Sequence, residues 1–380
     1  QGVTYESLPF AVKSALHEQI GAFLESAYAD ALDPVLDLLA FHYDRSENLA
    51  KRRLYLRRAG EAAQATYAND AAIDYFTRAL PLLLPEERPN VLLRLGQVLE
   101  LIGQWEQAAA RYLETLTAAE SLDDHTTQAQ AQIALGELER KQGRFGEAAP
   151  WYARAYAVAD DHADQPGLAK ALICQGTLAA QQGDYTAATA YYARSLAIRR
   201  ALDDQLNVAA VLNNMAIVAQ FEGDYARSQH FHEEALAIRR KLGATWAIAM
   251  SLNNLGTTLL DRHDYAAAGA YLDEALTIQR AVGDKWAIAN ALNNLGNVRR
   301  DLGEFDAAQR LYAESLALNH ALGDRRALAY LLEDIGLLAV SQGEYARALR
   351  LVGAAAALRA AIASPLSPSE QATLEARMQT

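Results

Sequence analysis

One cysteine, Cys174, is the whole thiol inventory of the chain, which excludes an internal disulfide and leads us to expect a reducing, cytoplasmic setting. Long apolar runs are missing too, and none approaches the roughly 18 residues of a membrane span. The opening stretch, QGVTYESLPF, has neither a basic n-region nor an apolar h-region, so it is not a signal peptide. It also lacks an initiator methionine, and the chain reads as a piece of something longer. Positive charge is in deficit, with 35 Lys+Arg against 47 Asp+Glu and a formal net charge of −12. Nucleic-acid binding needs a basic footprint for the phosphates, and anionic membrane surfaces repel this balance, so neither is an expected partner. The chain also lacks a G-x-x-x-x-G-K-[ST] loop, a metal-ligand spacing and a nucleophile–base constellation, so no catalysis and no cofactor are expected of it.

What the chain has instead is self-similarity. Gly96, Gly136, Gly176, Gly256, Gly296 and Gly336 lie 40 residues or a multiple of 40 apart, with Ala216 in the remaining slot. Seven residues after these come Gly103, Gly143, Gly183, Gly223, Gly303 and Gly343, with His263 replacing glycine once. Two further on stand Trp105, Phe145, Tyr185, Tyr225, Tyr265, Phe305 and Tyr345, and three beyond those Ala108, Ala148, Ala188, Ser228, Ala268, Ala308 and Ala348. Each landmark has a physical job. The first small residue marks where two helices of a hairpin cross. The second glycine supplies the left-handed residue that ends the first helix, a role His263 can also fill. The aromatic opens the second helix, and the alanine allows close approach, with Tyr112, Tyr152, Tyr192 and Tyr312 filling the space beside it.

These landmarks resemble the tetratricopeptide repeat family over residues 52–362. The resemblance implies an all-α fold, a right-handed α-solenoid superhelix of helix hairpins. About eight units are expected: one of 36 residues, from Gly60 to Gly96, then seven of 40. Family repeats have roughly 34 residues and carry proline late in the second helix. Arg200, Arg240, Arg280 and His320 stand there instead, so the helix can run on to Gly243, Gly283 or Gly323, as in the longer repeats of kinesin light chains and Pins-type scaffolds. Asp284 and Asp324 are then placed to cap the next helix. Residues 1–51 read as a helical segment, and the stretch LLAFHYDRSENLAKRRLYLRRAGEAAQATYANDAAIDYFTRAL resembles the junction where AAA or STAND ATPases of bacterial signalling proteins run into C-terminal repeats. Nucleotide cyclase-linked proteins and the maltose-regulon activator share that plan. Residues 363–380 read as a linker and a final capping helix.

By resemblance to the family, the inward face takes the positions six and three before the first landmark and one, four and five after it. Those slots hold Glu100, Glu137, Arg140, Lys141, Lys170 and Gln181 early in the chain. Later they hold Asn213, Gln220, Phe221, Asn253, Asp261, Asn290, Asn293, Asn297, Arg300, Asp301, Tyr330 and Glu333. The motif LNN recurs at Asn213-Asn214, Asn253-Asn254 and Asn293-Asn294. An amide offers a donor and an acceptor together, the pair that grips an extended peptide backbone. In peptide-binding members of the family, the position two before the landmark does this, here Asn214, Asn254 and Asn294. The competing reading has the amides bonding neighbouring helices. Arg140, Lys141, Lys170 and Arg300 could meet ligand carboxylates, or pair with glutamates of their own face. His230 and His232 point to different sides of a helix and cannot chelate together. The expected partner is a protein or peptide, another domain of the same protein included. The alternatives are an inducer-type small ligand, which needs aromatics over polar groups in one pocket, and a purely structural arm.

Overall fold

The computed structural model describes residues 8–362, 364–366 and 368–378. They are helical nearly throughout. The helices are α1 (Phe10–Ala27), α2 (Leu36–Asp44), α3 (Leu49–Ala65), α4 (Asn69–Ala79), α5 (Arg88–Leu101), α6 (Trp105–Ser121), α7 (His125–Lys141), α8 (Phe145–Asp161), α9 (Gln165–Gln181) and α10 (Tyr185–Ala201). They continue as α11 (Gln205–Phe221), α12 (Tyr225–Leu242), α13 (Thr245–Asp261), α14 (Tyr265–Val282), α15 (Lys285–Asp301), α16 (Phe305–Leu322), α17 (Arg325–Ser341), α18 (Tyr345–Ala361) and α19 (Pro368–Met378). The chain forms two compact units, one ending at Ile198 and one beginning at Arg199. Within each, a helix packs on its hairpin partner and on the first helix of the next hairpin.

Local chemistry places the boundaries. The first helices of the hairpins open on aspartates whose carboxylates accept the backbone N–H three residues on: Asp124 from Thr127, Asp164 from Gly167, Asp204 from Asn207, Asp284 from Ala287 and Asp324 from Ala327. The tight turn inside each hairpin turns on one left-handed residue. Gly143 (φ 77°) and Gly303 (φ 77°) are examples, and His263 takes the same conformation at φ 61°. Between hairpins a second left-handed residue appears. It is Gly243, Gly283 or Gly323 where the preceding helix has 18 residues, and Asp123, Ala163 or Asp203 where it has 17. Pro89 lies in the first turn of α5, where its missing N–H costs nothing.

The first landmark is small for a different reason from the one expected. A Cβ built on Gly136 would stand 2.5 Å from Cε1 of Tyr152, and one on Gly296 would stand 2.4 Å from the same atom of Tyr312. The glycine makes room for an aromatic ring from the second helix rather than for a crossing backbone. Gly96 serves Tyr112 and Gly176 serves Tyr192 in this way, while Gly60 serves Phe76. Gly21 in α1 does the same for Tyr43 in α2, so the device reaches upstream of the repeats. Residues 1–51 thus contain a packed helical segment whose Glu25 accepts hydrogen bonds from Tyr43 (2.9 Å), Lys51 (2.6 Å) and Tyr55.

Candidate functional site

In the second unit the inward slots converge. Ile217, Gln220 and Phe221 of α11, Asp261 of α13, and Tyr330, Glu333, Asp334 and Leu337 of α17 line one cavity of about 720 Å³, with Tyr225 and His263 also on its wall. Phe221, at the end of α11, is 67% exposed on the cavity wall. Asp261 accepts a hydrogen bond from Gln220, and burial raises its carboxyl above the usual range. A second cavity of about 430 Å³ shares Tyr330 and Asp334 with the first and adds Trp286, Asn290, Asn293, Asn319 and Arg326. The helix α19 contributes Leu374 and Arg377 to the first cavity, and the segment before it adds Leu366. The tail helix therefore lies against the last hairpin, beside its inner helix α17 and with Leu374 near Val352, Ala356 and Ala360 of α18.

The asparagines form a ladder between successive inner helices. Asn254 Nδ2 donates to Asn213 Oδ1 at 2.8 Å, Asn294 donates to Asn253 at 3.1 Å, and Asn293 donates to Asp334 at 2.9 Å. All three bonds span 41 residues, one repeat plus one position. The ladder uses part of each amide, and every one of these asparagines is half-buried. Asn293 Oδ1 is buried with no hydrogen-bond partner. Asn214 is half-buried, and Asn290 faces the second cavity. Asn297 donates to Asp334 and accepts from Arg300 (2.9 Å) and from the Tyr312 hydroxyl (2.7 Å).

Arg300 pairs with acids of its own face, the second of the two readings open to it. It is 5% exposed, and its guanidinium is held by Asp301 at 2.7 Å, Asn297 and Asp334, which makes it part of the wall. The cations of the first unit are matched in the same way. Arg140 binds Glu137 bidentately through Nε and Nη2 (3.1 and 2.7 Å) and donates from Nη1 to Gln181 at 3.1 Å, while Lys141 meets Glu100 at 2.5 Å. Lys170 is exposed and acts electrostatically on Glu137. Hydroxyls from the core complete the arrangement, with Tyr152 donating to Glu137 at 2.5 Å and Tyr112 to Glu100 at 2.6 Å. Burial alone would raise the Glu137 carboxyl, but the bonds from Arg140 and Tyr152 more than offset it and hold it below the usual range.

Other singled-out residues settle into structural places. Cys174 is 3% exposed, and burial pushes its thiol up to about 12, which leaves it unreactive at neutral pH. His232 is fully buried, whereas His230 is exposed. Trp246 bonds across to the next repeat through Nε1 to Asp284 (2.9 Å). The functional candidates missed by the slot reading are Asp334, Tyr225 and Arg377. Asp334 had a signal, because the recurring LNN continues one repeat later as Leu332-Glu333-Asp334.

A family model described as tetratricopeptide repeat matches residues 87–161, 167–241, 247–319 and 287–361. No curated protein matches the chain. Among solved structures, a signal-transduction ATPase with a tetratricopeptide repeat sensor from Pyrococcus horikoshii is similar at TM-score 0.63 and 13% identity; the match covers 90% of this chain and 52% of that one. The apo quorum sensor NprR from B. thuringiensis is similar at TM-score 0.60 and 19% identity, over 84% of this chain and 90% of its own. The Rap conjugation regulator of plasmid pLS20, solved in complex with the Phr* peptide, is similar at TM-score 0.54 and 13% identity, over 76% and 84%. Among the described residues, no helix is long and apolar enough to cross a membrane.

Proposed function

The chain belongs to the tetratricopeptide repeat family, and on that footing we propose that it is a protein-binding scaffold whose second unit takes up a peptide or helical segment of a partner along its inner face. It acts in this reading as the regulatory arm of a bacterial signalling protein in the cytoplasm and performs no chemistry itself. ATPase or cyclase activity would belong to a longer parent. One observation carries the proposal: side chains from α11, α13 and α17 converge on a single open cavity that combines aromatic rings with hydrogen-bonding groups. The amides of the Asn213–Asn254 and Asn253–Asn294 pairs lie on the inner helices α11, α13 and α15, each using one side-chain bond in its pair, and can bond a peptide backbone. The peptide-bound Rap regulator, a structure of similar fold, is consistent with this use.

The test is a displayed peptide library panned against the full chain, with the selected peptides measured by calorimetry on Phe221→Ala/Tyr330→Ala. The double variant should bind about tenfold more weakly or worse, with little change in melting temperature, since both rings stand at the cavity rather than in the core. Affinity unchanged by the double variant would sink the proposal. A second reading, a small-ligand sensor, gains from the three aromatics Phe221, Tyr225 and Tyr330 around carboxylates in one cavity. Binding of a panel of sugars and other polar metabolites, blocked by the same variant, would favour it over the first.

A further inference from the structure

The tail helix occupies the surface just assigned to a partner. Leu366, Leu374 and Arg377 stand in the cavity opposite Phe221, Leu337 and Asp261. Arg377 acts electrostatically on Asp261, and Leu374 is half-buried. Besides the main cavity, an open pocket of about 320 Å³ lies among Val352, Ala356, Ala360, Leu366 and Leu374. An 11-residue helix is also too short to persist alone in water, so α19 exists by leaning on this wall.

We propose that α19 is an internal stand-in for the partner, and that the partner is a basic amphipathic helix that displaces it. This rests on the reading above and names the chemistry of its ligand. The wall sets the requirement. An apolar side chain must face Phe221 and Leu337, and about one helical turn further on a guanidinium or ammonium must come near Asp261, a pattern that Leu374 and Arg377 carry at i and i+3 on the cavity wall. The other wall cations are engaged: Arg300 is held by Asp301, and Arg359 grips Glu333 at 2.7 and 2.8 Å. Asp261 is thus an exposed carboxylate on the cavity wall that a ligand cation can neutralise. A tethered helix competes at an effective concentration in the millimolar range, so an incoming helix needs a better fit, and the open pocket beside α19 gives a longer side chain room to make one.

The experiment uses the full chain, its unseated variant Leu374→Asp/Arg377→Glu, and the milder Arg377→Ala. All three are checked for equal helicity and melting temperature. Two labelled probes are titrated by fluorescence anisotropy: a peptide of residues 364–380 and an unrelated designed helix with leucine and arginine three residues apart. The expected result is that both probes bind the unseated variant about tenfold or more tightly than wild type, with Arg377→Ala between them. Adding Asp261→Lys to the unseated variant should abolish the gain. If the designed helix binds wild type and unseated chain equally, and Phe221→Ala still weakens it, the groove reading survives and the gating proposal fails. If neither probe binds the unseated variant, the gating proposal fails as well, and the groove then stands or falls on the peptide-library measurement alone.

Discussion

Two hairpins, one in each unit, solve the same packing problem differently. In α7/α8 the first landmark is Gly136, the ring beneath it is Tyr152, and the hydroxyl of that ring reaches Glu137 on the inner face. In α11/α12 the landmark is Ala216, the ring is His232, and the residue after the landmark is Ile217, partly exposed at the cavity. The three positions change together. A methyl on the first helix forces a smaller ring on the second, and a ring without a hydroxyl needs no polar group after the landmark. The first hairpin ties its core to its groove through a hydrogen bond. The second gives that bond up, leaves both nitrogens of His232 buried without partners, and turns an apolar residue toward the groove.

The largest effect should come from crowding the first arrangement. Gly136→Val puts a branched side chain where even a Cβ would lie 2.5 Å from a ring that Glu137 pins in place. The ring cannot swing aside, so the loss should reach about 4 kcal/mol, at the upper end for overpacking, with Gly136→Ala costing less. The urea midpoint measures it. A midpoint within error of wild type would show that the glycine is not there for the ring.

Next in size is a pH effect confined to the second arrangement. Burial, reinforced by Arg239, lowers His232 from 6.5 to about 4. Its folded form therefore resists protonation more than its unfolded form. The stability is full above pH 6.5 and drains away as pH falls toward about 4. Over that window wild type should lose about 3 kcal/mol that His232→Leu keeps. Whatever leucine costs in packing over Ala216, it does not titrate, so the comparison rests on the slopes of the two curves with pH. Parallel stability–pH curves for the two proteins would refute the assignment.

These cases also show what a sequence can carry. The glycine stride, the aspartate caps and the left-handed turns were legible, because each depends on neighbours a few residues away. The partner of the glycine was not. A small residue says only that space is needed, and the claimant, Tyr152, sits 16 residues on in another helix. The slots that face inward were legible from the repeat, and the cavity lining follows them at Gln220, Phe221, Asp261, Tyr330 and Glu333. What each slot residue does was not, since the amides pair across repeats and Arg300 sinks into its own wall. The tail helix was foreseen, but its resting place depends on surface assembled from α11, α13 and α17. No local pattern announces that.

Transplanting the first arrangement into the second gives a smaller and more diagnostic change. His232→Tyr alone should cost about 2 kcal/mol, because the ring meets the Ala216 methyl and its hydroxyl meets Ile217. The triple variant Ala216→Gly/Ile217→Thr/His232→Tyr copies the set Gly176, Thr177 and Tyr192, in which the tyrosine hydroxyl lies 3.0 Å from the threonine. It should recover most of that loss, for a coupling of about 2 kcal/mol across the three sites. Additive effects in the mutant cycle would show that the three positions vary independently.

The smallest effect tests the bond that distinguishes the two hairpins. Tyr152→Phe removes a donor from Glu137 but leaves the ring in place over Gly136 and Arg140 on the carboxylate. About 1 kcal/mol should be lost at neutral pH. The sign of its pH dependence follows from Glu137, whose carboxyl is held below 4.5 in the folded chain partly by that hydroxyl. The stability supplied by a depressed carboxyl is complete above its ordinary value and disappears as pH falls through the folded one. The gap between Tyr152→Phe and wild type should therefore be full above pH 4.5 and close below it. His232 titrates identically in both proteins and cancels from the difference. A gap that stays constant into acid would mean the hydroxyl serves packing alone, and the first hairpin would then differ from the second only in the size of its ring.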